Sequence, residues 1–247
     1  MARLDRLLAN LGYGSRREVA ALVRDGRVIL DGTALRDSGA KVPVTAELPS
    51  RMTISGAPVD PPAPLTILMH KPLGVVCSHK EPGRSVYELL PHRWRARMPG
   101  LSTVGRLDME TSGLLLITDD GTFLHRVISP KAHVAKRYIA NLDRPLSGTE
   151  GEVFAAGTLM LDSETEPLAP ALLEPLGPMT AALTITEGRY HQVRRMFAAV
   201  GNHVTALHRD RIGGLHLPQR LGAGVWEVLG VEDLASVFEG TQAQVRN

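Results

Sequence analysis

The stretch Gly105-Arg106-Leu107-Asp108-Met109-Glu110-Thr111-Ser112-Gly113-Leu114-Leu115-Leu116-Ile117-Thr118, closed by Asp119-Asp120-Gly121, decides how the rest of the chain is read. Leu114 to Ile117 are four consecutive apolar residues between turn signals. They predict a short strand covered on both faces, because a half-exposed strand would alternate apolar with polar. Asp108 then sits on a turn leading into the core. A carboxylate carried to the edge of a buried strand loses hydration and must be met by a cation, by backbone amides or by a proton. A turn aspartate bonded to Thr111 and Ser112 would satisfy that need without any chemistry, so the choice falls to the rest of the chain.

Composition narrows the class. The chain has 247 residues, 43% of them apolar, enough for a large domain with a small appendage. The net charge is only +2, yet it is unevenly placed. Eight Arg or Lys face five acids between Met1 and Ala46, and six Arg face two acids between Glu187 and Arg220, while Asn141 to Leu176 holds seven acids and only Arg144. Basic faces with an acidic back suit a polyanion partner. Cys77 is the only cysteine, which rules out an internal disulfide and a cysteine-based metal site. No apolar run is long enough for a bilayer and the N-terminus lacks a signal-peptide core, so the expected place is the cytoplasm, with no membrane contact. No Gly-Lys pair and no three-glycine dinucleotide fingerprint occurs, so consumption of a nucleotide is not expected.

Upstream, a small unit is legible. Leu4, Leu7, Leu8 and Leu11 recur at helical spacing before Gly12 and Gly14, and Ser15-Arg16-Arg17-Glu18 is a capping box opening a second helix with Val19, Leu22 and Val23 inside. Val28-Ile29-Leu30-Asp31-Gly32-Thr33 reads as a strand entering a hairpin turn. Arg16, Arg17 and Arg24 fall on the outer side of the second helix. Pro58 to Pro64, with four prolines, predicts a semi-rigid linker. The expected layout is a small unit over 1–57, a linker over 58–64, a large domain over 65–239 and a frayed tail over 240–247.

In the large domain, strands are expected at 65–69, 75–77, 136–140, 169–176, 179–186 and 204–208. Helices are expected at 86–90, 122–128, 152–157, 191–200 and 231–238, the 191–200 helix carrying the apolar stripe Val193, Met196, Phe197 and Val200 and stopping at Gly201-Asn202. Strands outnumber helices and do not alternate with them, so the class is α+β with a mixed, mostly antiparallel sheet.

Three segments give Asp108 a context. Arg194 and Arg195 lie off the apolar stripe on the side of His191, and an arginine fork suits a carboxylate. Tyr138, beside Lys136 and Arg137, offers a ring that can stack on a base and a hydroxyl that can handle a proton. Leu207-His208-Arg209-Asp210-Arg211-Ile212-Gly213 puts two arginines where phosphates could be gripped. Six histidines, His125, His133, His191, His203, His208 and His216, invite a metal reading, but none forms an i, i+4 pair beside a carboxylate, so no metal is expected.

Taken together, His70-Lys71-Pro72-x-Gly74, Gly105-Arg106-Leu107-Asp108-x-x-Thr111-x-Gly113-Leu114, Lys136-x-Tyr138, Glu187-Gly188-Arg189-Tyr190-His191-Gln192-Val193-Arg194-Arg195-Met196-Phe197 and Leu207-x-Arg209-x-Arg211-Ile212-Gly213 resemble the pseudouridine synthases, in the branch of ribosomal small subunit pseudouridine synthase A. The likeness spans nearly the whole length. His70 stands where that branch usually has Asn. The N-terminal helix pair and hairpin resemble the S4-like RNA-binding module. The resemblance implies isomerisation of a uridine in 16S ribosomal RNA, at position 516 of that RNA, or in a small-subunit assembly intermediate. It implies Asp108 as nucleophile, Tyr138 near the target base, Arg194 as partner of Asp108, and Arg106 filling the gap left by an extruded nucleotide. Arg16, Arg17, Arg24, Lys136, Arg195, Arg209 and Arg211 are the further expected RNA contacts. No cofactor is implied, because the isomerisation gains and loses nothing, and a monomer is expected. Two rivals stay open: action on 23S RNA, and an assembly factor that binds RNA without turning it over.

Overall fold

In a computed structural model of the chain, the described residues are 1–78 and 81–240. They form two compact units, the first made of residues 1–66, 87–102 and 118–121, the second of the rest. The expected tail lies outside the described residues, apart from Gly240.

The first unit opens with α1 (Leu4–Asn10) and α2 (Arg16–Arg24). The capping box forms as the sequence requires: Glu18 N donates to Ser15 Oγ, and Ser15 N donates to Glu18 Oε2 at 2.7 Å. Strands β1 (Val28–Leu30) and β2 (Thr33–Ala34) follow as a hairpin whose turn, Asp31-Gly32, has both φ angles positive, at 50° and 77°. The unit is larger than helix pair plus hairpin. Strand β3 (Met52–Ile54) pairs with β1, and β4 (Ala57–Pro58) pairs with β3. Met52, Ile54 and Val59 join Leu4, Leu8, Val19 and Val23 in one core. Within the expected linker, Pro58 is exposed, Val59 is 2% exposed, and Asp60 is buried and ion-paired to Arg93. The prolines concealed this because the apolar signal is a single residue.

The second unit is built on one sheet. Among the described residues, the main path of its nine strands is β5 (Thr66–Lys71), β6 (Thr111–Thr118), β7 (Lys136–Leu142), β8 (Leu172–Gly177), β9 (Thr180–Ile185), β10 (Val204–Ile212) and β11 (Trp226–Val228), in spatial order β8-β9-β7-β10-β6-β5-β11, with the two-residue strands Ser102–Thr103 and Leu215–His216 pairing off it. The pairs β8/β9, β9/β7, β7/β10 and β5/β11 are antiparallel, and β10/β6 is parallel, giving the expected mixed sheet. Helices α3 (Gly121–Ile128), α4 (Glu150–Ala155), α5 (Gln192–Ala199) and α6 (Val231–Ser236) accompany it.

Leu114 to Ile117 lie at the centre of the sheet and all four are fully buried. Each such side chain contributes roughly 1.5–3 kcal/mol by leaving water. Leu114 and Leu116 pack with Phe123 and Val127 of α3. Phe197 of α5 meets Phe154 of α4 edge-on at 5.4 Å between ring centroids.

Two expected strands differ. Val75 to Cys77 makes only one isolated bridge, Val76 to Ser85. Strand β10 runs four residues past His208, because Arg209 and Asp210 find partners within the fold; polar residues had suggested an end. Strand β11, Trp226-Glu227-Val228, is too short for a period-two signal to register.

Candidate active site

Period-two alternation assigns the faces of the sheet. Leu207 and Arg209 of β10, Lys136 and Tyr138 of β7, Thr111 of β6 and Ile185 of β9 line one cavity of about 570 Å³. His208, Asp210, Ser112 and Arg137 point to the opposite face, where Ser112 Oγ lies 2.9 Å from His208 Nδ1 and Arg137 is ion-paired to Asp210 at 2.5 Å.

Asp108 stands at the cavity wall on the turn before β6, closed by Thr111 N donating to Asp108 O at 3.0 Å. The turn bond uses the main-chain carbonyl, which leaves the carboxylate free for other work. Lys71 fixes the turn from beneath. It is fully buried, and its Nζ donates to Asp108 O at 3.0 Å, Thr111 O at 2.8 Å and Pro72 O at 3.0 Å. Burial lowers its pKa, an effect that the nearby Asp108 carboxylate opposes. Such an ammonium, satisfied by three carbonyls, locks chain direction at the point where Asp108 is presented.

The side chain that meets the Asp108 carboxylate is His191: Nε2 to Oδ1 is 3.4 Å, with both side chains 39% exposed. This corrects the expected Asp108–Arg194 pair. Arg194 instead donates to Val204 O at 2.8 Å and to Glu110 O at 3.0 Å, tying α5 to β10 and to the main chain two residues past Asp108. The carboxylate is also less desolvated than a position at a core strand suggested.

His191 precedes α5 in the left-handed region, φ 48°. Its place is enforced by Glu187, which accepts from Gln192 Nε2 at 2.8 Å and from Arg189 Nε at 3.2 Å. Arg195 belongs to the same frame. It is ion-paired to Glu164 at 2.8 Å, where an RNA contact was expected of it.

Arg209 also departs from expectation. It is 2% exposed, so it cannot hold a surface phosphate. Its Nε donates to Leu114 O at 2.8 Å and its Nη1 to Tyr138 Oη at 3.3 Å, while Nη2 has no partner. Thr111 Oγ1 is a second unpartnered buried atom on the cavity wall. Lys136 lies in the cavity as well, and burial, with Arg209 adding to it, pushes its pKa down to about 8. Tyr138 is 8% exposed, its ring beneath the cavity. Arg106 stands at the rim, 62% exposed and ion-paired to Glu81. Arg211 is half-buried at the end of β10. In the first unit Arg17 and Arg24 are exposed, whereas Arg16 is ion-paired to Asp5 at 2.7 Å.

Sequence reasoning missed His191 and the locking role of Lys71. The available signals were a histidine next to the apolar stripe of α5, and a lysine continuing an otherwise apolar strand.

The sequence and the fold have counterparts among known proteins. Residues 65–199 match the family described as RNA pseudouridylate synthase, and residues 2–48 match the S4 domain. The chain belongs to the RNA pseudouridylate synthases, isomerases of uridine in RNA. Its strong likeness is to one kind within that family. It is 40% identical over 240 residues to ribosomal small subunit pseudouridine synthase A of Escherichia coli (strain K12), covering 95% of this chain and 99% of that one. It is 41% identical over 237 residues to the protein of the same name from Yersinia pestis, covering 95% and 97%. A crystal structure of a pseudouridylate synthase agrees at a TM-score of 0.67 and 32% identity, over 96% of this chain and all of that one.

Proposed function

We propose that this chain isomerises one uridine of small-subunit, 16S ribosomal RNA to pseudouridine, acting as a cytoplasmic monomer, with Asp108 as the reacting carboxylate. The uridine at position 516 is the target that the resemblance to the small-subunit enzymes favours. The carrying observation is a single cavity that holds Asp108, Tyr138, Lys136 and the unpartnered Nη2 of Arg209.

The reaction breaks N1–C1′, turns the uracil, forms C5–C1′, and moves a proton from C5 to N1, so the atoms balance without any co-reactant. Asp108 lies where the sugar of a flipped-out nucleotide would enter. A carboxylate there can bond to C1′, stabilise positive charge on the ribose, or take a ribose proton. Tyr138 supports one face of the base. Arg209 Nη2 and Thr111 Oγ1 supply polar contacts to the uracil edge, which relieves the roughly 1–3 kcal/mol cost of leaving a buried polar group unpaired. Drawing the nucleotide from its stack costs a few kcal/mol. Arg106 at the rim can offset part of this by entering the gap, since it gives up only an exposed ion pair worth about 0–1 kcal/mol.

Tritium release from RNA labelled at uridine C5 tests the reading. Asp108→Asn should abolish release while leaving thermal unfolding and RNA affinity near wild type; equal turnover would end the proposal. Pseudouridine mapping in ribosomal RNA from cells with and without the gene identifies the nucleotide and separates small-subunit from large-subunit action.

A further inference from the structure

Tyr190 is 76% exposed, yet it borders the cavity that contains Asp108. One face of its ring is covered by His191, with centroids 3.9 Å apart and planes at 14°. That imidazole is the one lying 3.4 Å from Asp108. A large aromatic left mostly in water forgoes the burial that its area would otherwise gain. Here it is held rather than loose. The left-handed turn at His191 and the Glu187–Gln192 bond hold the chain that carries the imidazole, and the stack sets the phenol ring against it. A pre-ordered ring loses little conformational freedom when something lands on its open face.

We infer that the outer face of Tyr190 is the stacking platform for a nucleobase adjacent to the target uridine in the RNA. The inference rests on the reading that Asp108 meets a flipped-out uridine in this cavity, and adds where the neighbouring nucleotide goes. The geometry supplies the reason. A nucleotide extruded toward Asp108 drags its neighbours to the cavity mouth, where their faces have lost a stacking partner. The ring offered there is stacked on the residue that touches Asp108, so one rigid two-ring pile links the neighbouring base to the reacting carboxylate. Base-on-aromatic stacking tolerates any base, so the platform contributes affinity and register more than sequence choice.

The test uses the full chain and ribosomal RNA extracted from cells lacking the gene, with tritium release as readout. Tyr190→Ala should raise KM roughly 5- to 150-fold, the loss expected for one stacked base, and Tyr190→Trp and Tyr190→Phe should restore most of it. An unchanged KM overturns the proposal, as does a fall in kcat alone, which would mean that Tyr190 only braces His191. Because the ring is exposed, the melting temperature of each variant should stay near wild type, so a folding defect is recognisable.

A second arm reads binding without turnover. Single-stranded oligoribonucleotides carry 2-aminopurine on the 5′ or the 3′ side of a uridine. Wild type and Tyr190→Phe should quench one of the two probes and Tyr190→Ala neither; equal quenching by all three, or none by wild type, overturns the inference. An abasic nucleotide at the quenched position should cost wild type affinity and Tyr190→Ala nothing further. Should Asp108→Asn keep full turnover, the cavity reading fails while this binding arm still gives its own answer.

Discussion

Lys136 and Arg209 share the cavity floor, and the lowering of Lys136 to about 8 by burial and then by Arg209 makes the charge of that floor depend on pH. Below about 8 the lysine is a second cation beside a fixed guanidinium; above it, the amine is neutral. An anionic or carbonyl-rich ligand should therefore bind less well as pH rises through 8. KM for RNA is expected to climb in that window in wild type and to stay flat in Lys136→Met, as measured by tritium release at constant ionic strength. The stability consequence has the opposite sign. The unfolded lysine titrates near its ordinary value of 10.5, so between about 8 and 10.5 the unfolded chain binds more protons and stability rises with pH. Asp108 itself was legible as a special residue from its turn and the apolar run behind it. Its neighbour His191 was not, because the pairing depends on a left-handed turn at a residue that is not glycine.

Strand β6 and strand β10 meet as parallel neighbours through Gly113, opposite Arg209. A Cβ on Gly113 would lie 2.1 Å from Arg209 O and 2.6 Å from Arg209 N, both backbone atoms, and φ is +115°. Gly113→Ala should therefore cost about 2–5 kcal/mol from overpacking and backbone strain, read as a lowered denaturation midpoint. It should also shift Arg209 away from Tyr138 and lower turnover. Elements of this kind show which signals survive folding. The capping box of α2 formed as written because its bonds are local, three residues apart. Arg16 and Arg195 look alike in sequence to Arg17 and Arg24, yet Asp5 and Glu164 engage them. The side chain of Asp5 is pushed down to about 2 by Arg3 first and then Arg16, so it stays ionised well into acid and keeps those arginines engaged.

At the scale of the whole chain, free cations and bound cations have to be counted separately. Among the described residues Arg17 and Arg24 on α2 are exposed and form no salt bridge, and Arg106 gives up only a surface pair. Affinity for RNA should fall with salt, and Arg17→Ala or Arg24→Ala should each reduce the slope of log K against log salt by about one, read by filter binding or fluorescence titration. Arg209→Ala should act otherwise, lowering turnover through the cavity with little change in that slope. The first unit also holds a buried ion pair: Arg97 and Asp119 lie 3.1 Å apart, each side chain 1% exposed, and Asp119 accepts from Leu65 N at 2.7 Å. Asp119-Asp120-Gly121 thus does more than end a strand.

The sequence alone determined the α+β class, the helix pair and hairpin, the buried strand after Asp108, and the family, because each rests on local periodicity, capping or motif spacing. Tertiary structure alone decided that Asp108 faces His191, that Arg194 and Arg195 serve the frame, that Arg209 lies inside the cavity, and that Val59 and Asp60 are buried. Those outcomes depend on which residues distant in the chain come within a few ångströms of one another, and a guanidinium is spent on whichever carbonyl or carboxylate the fold brings to it.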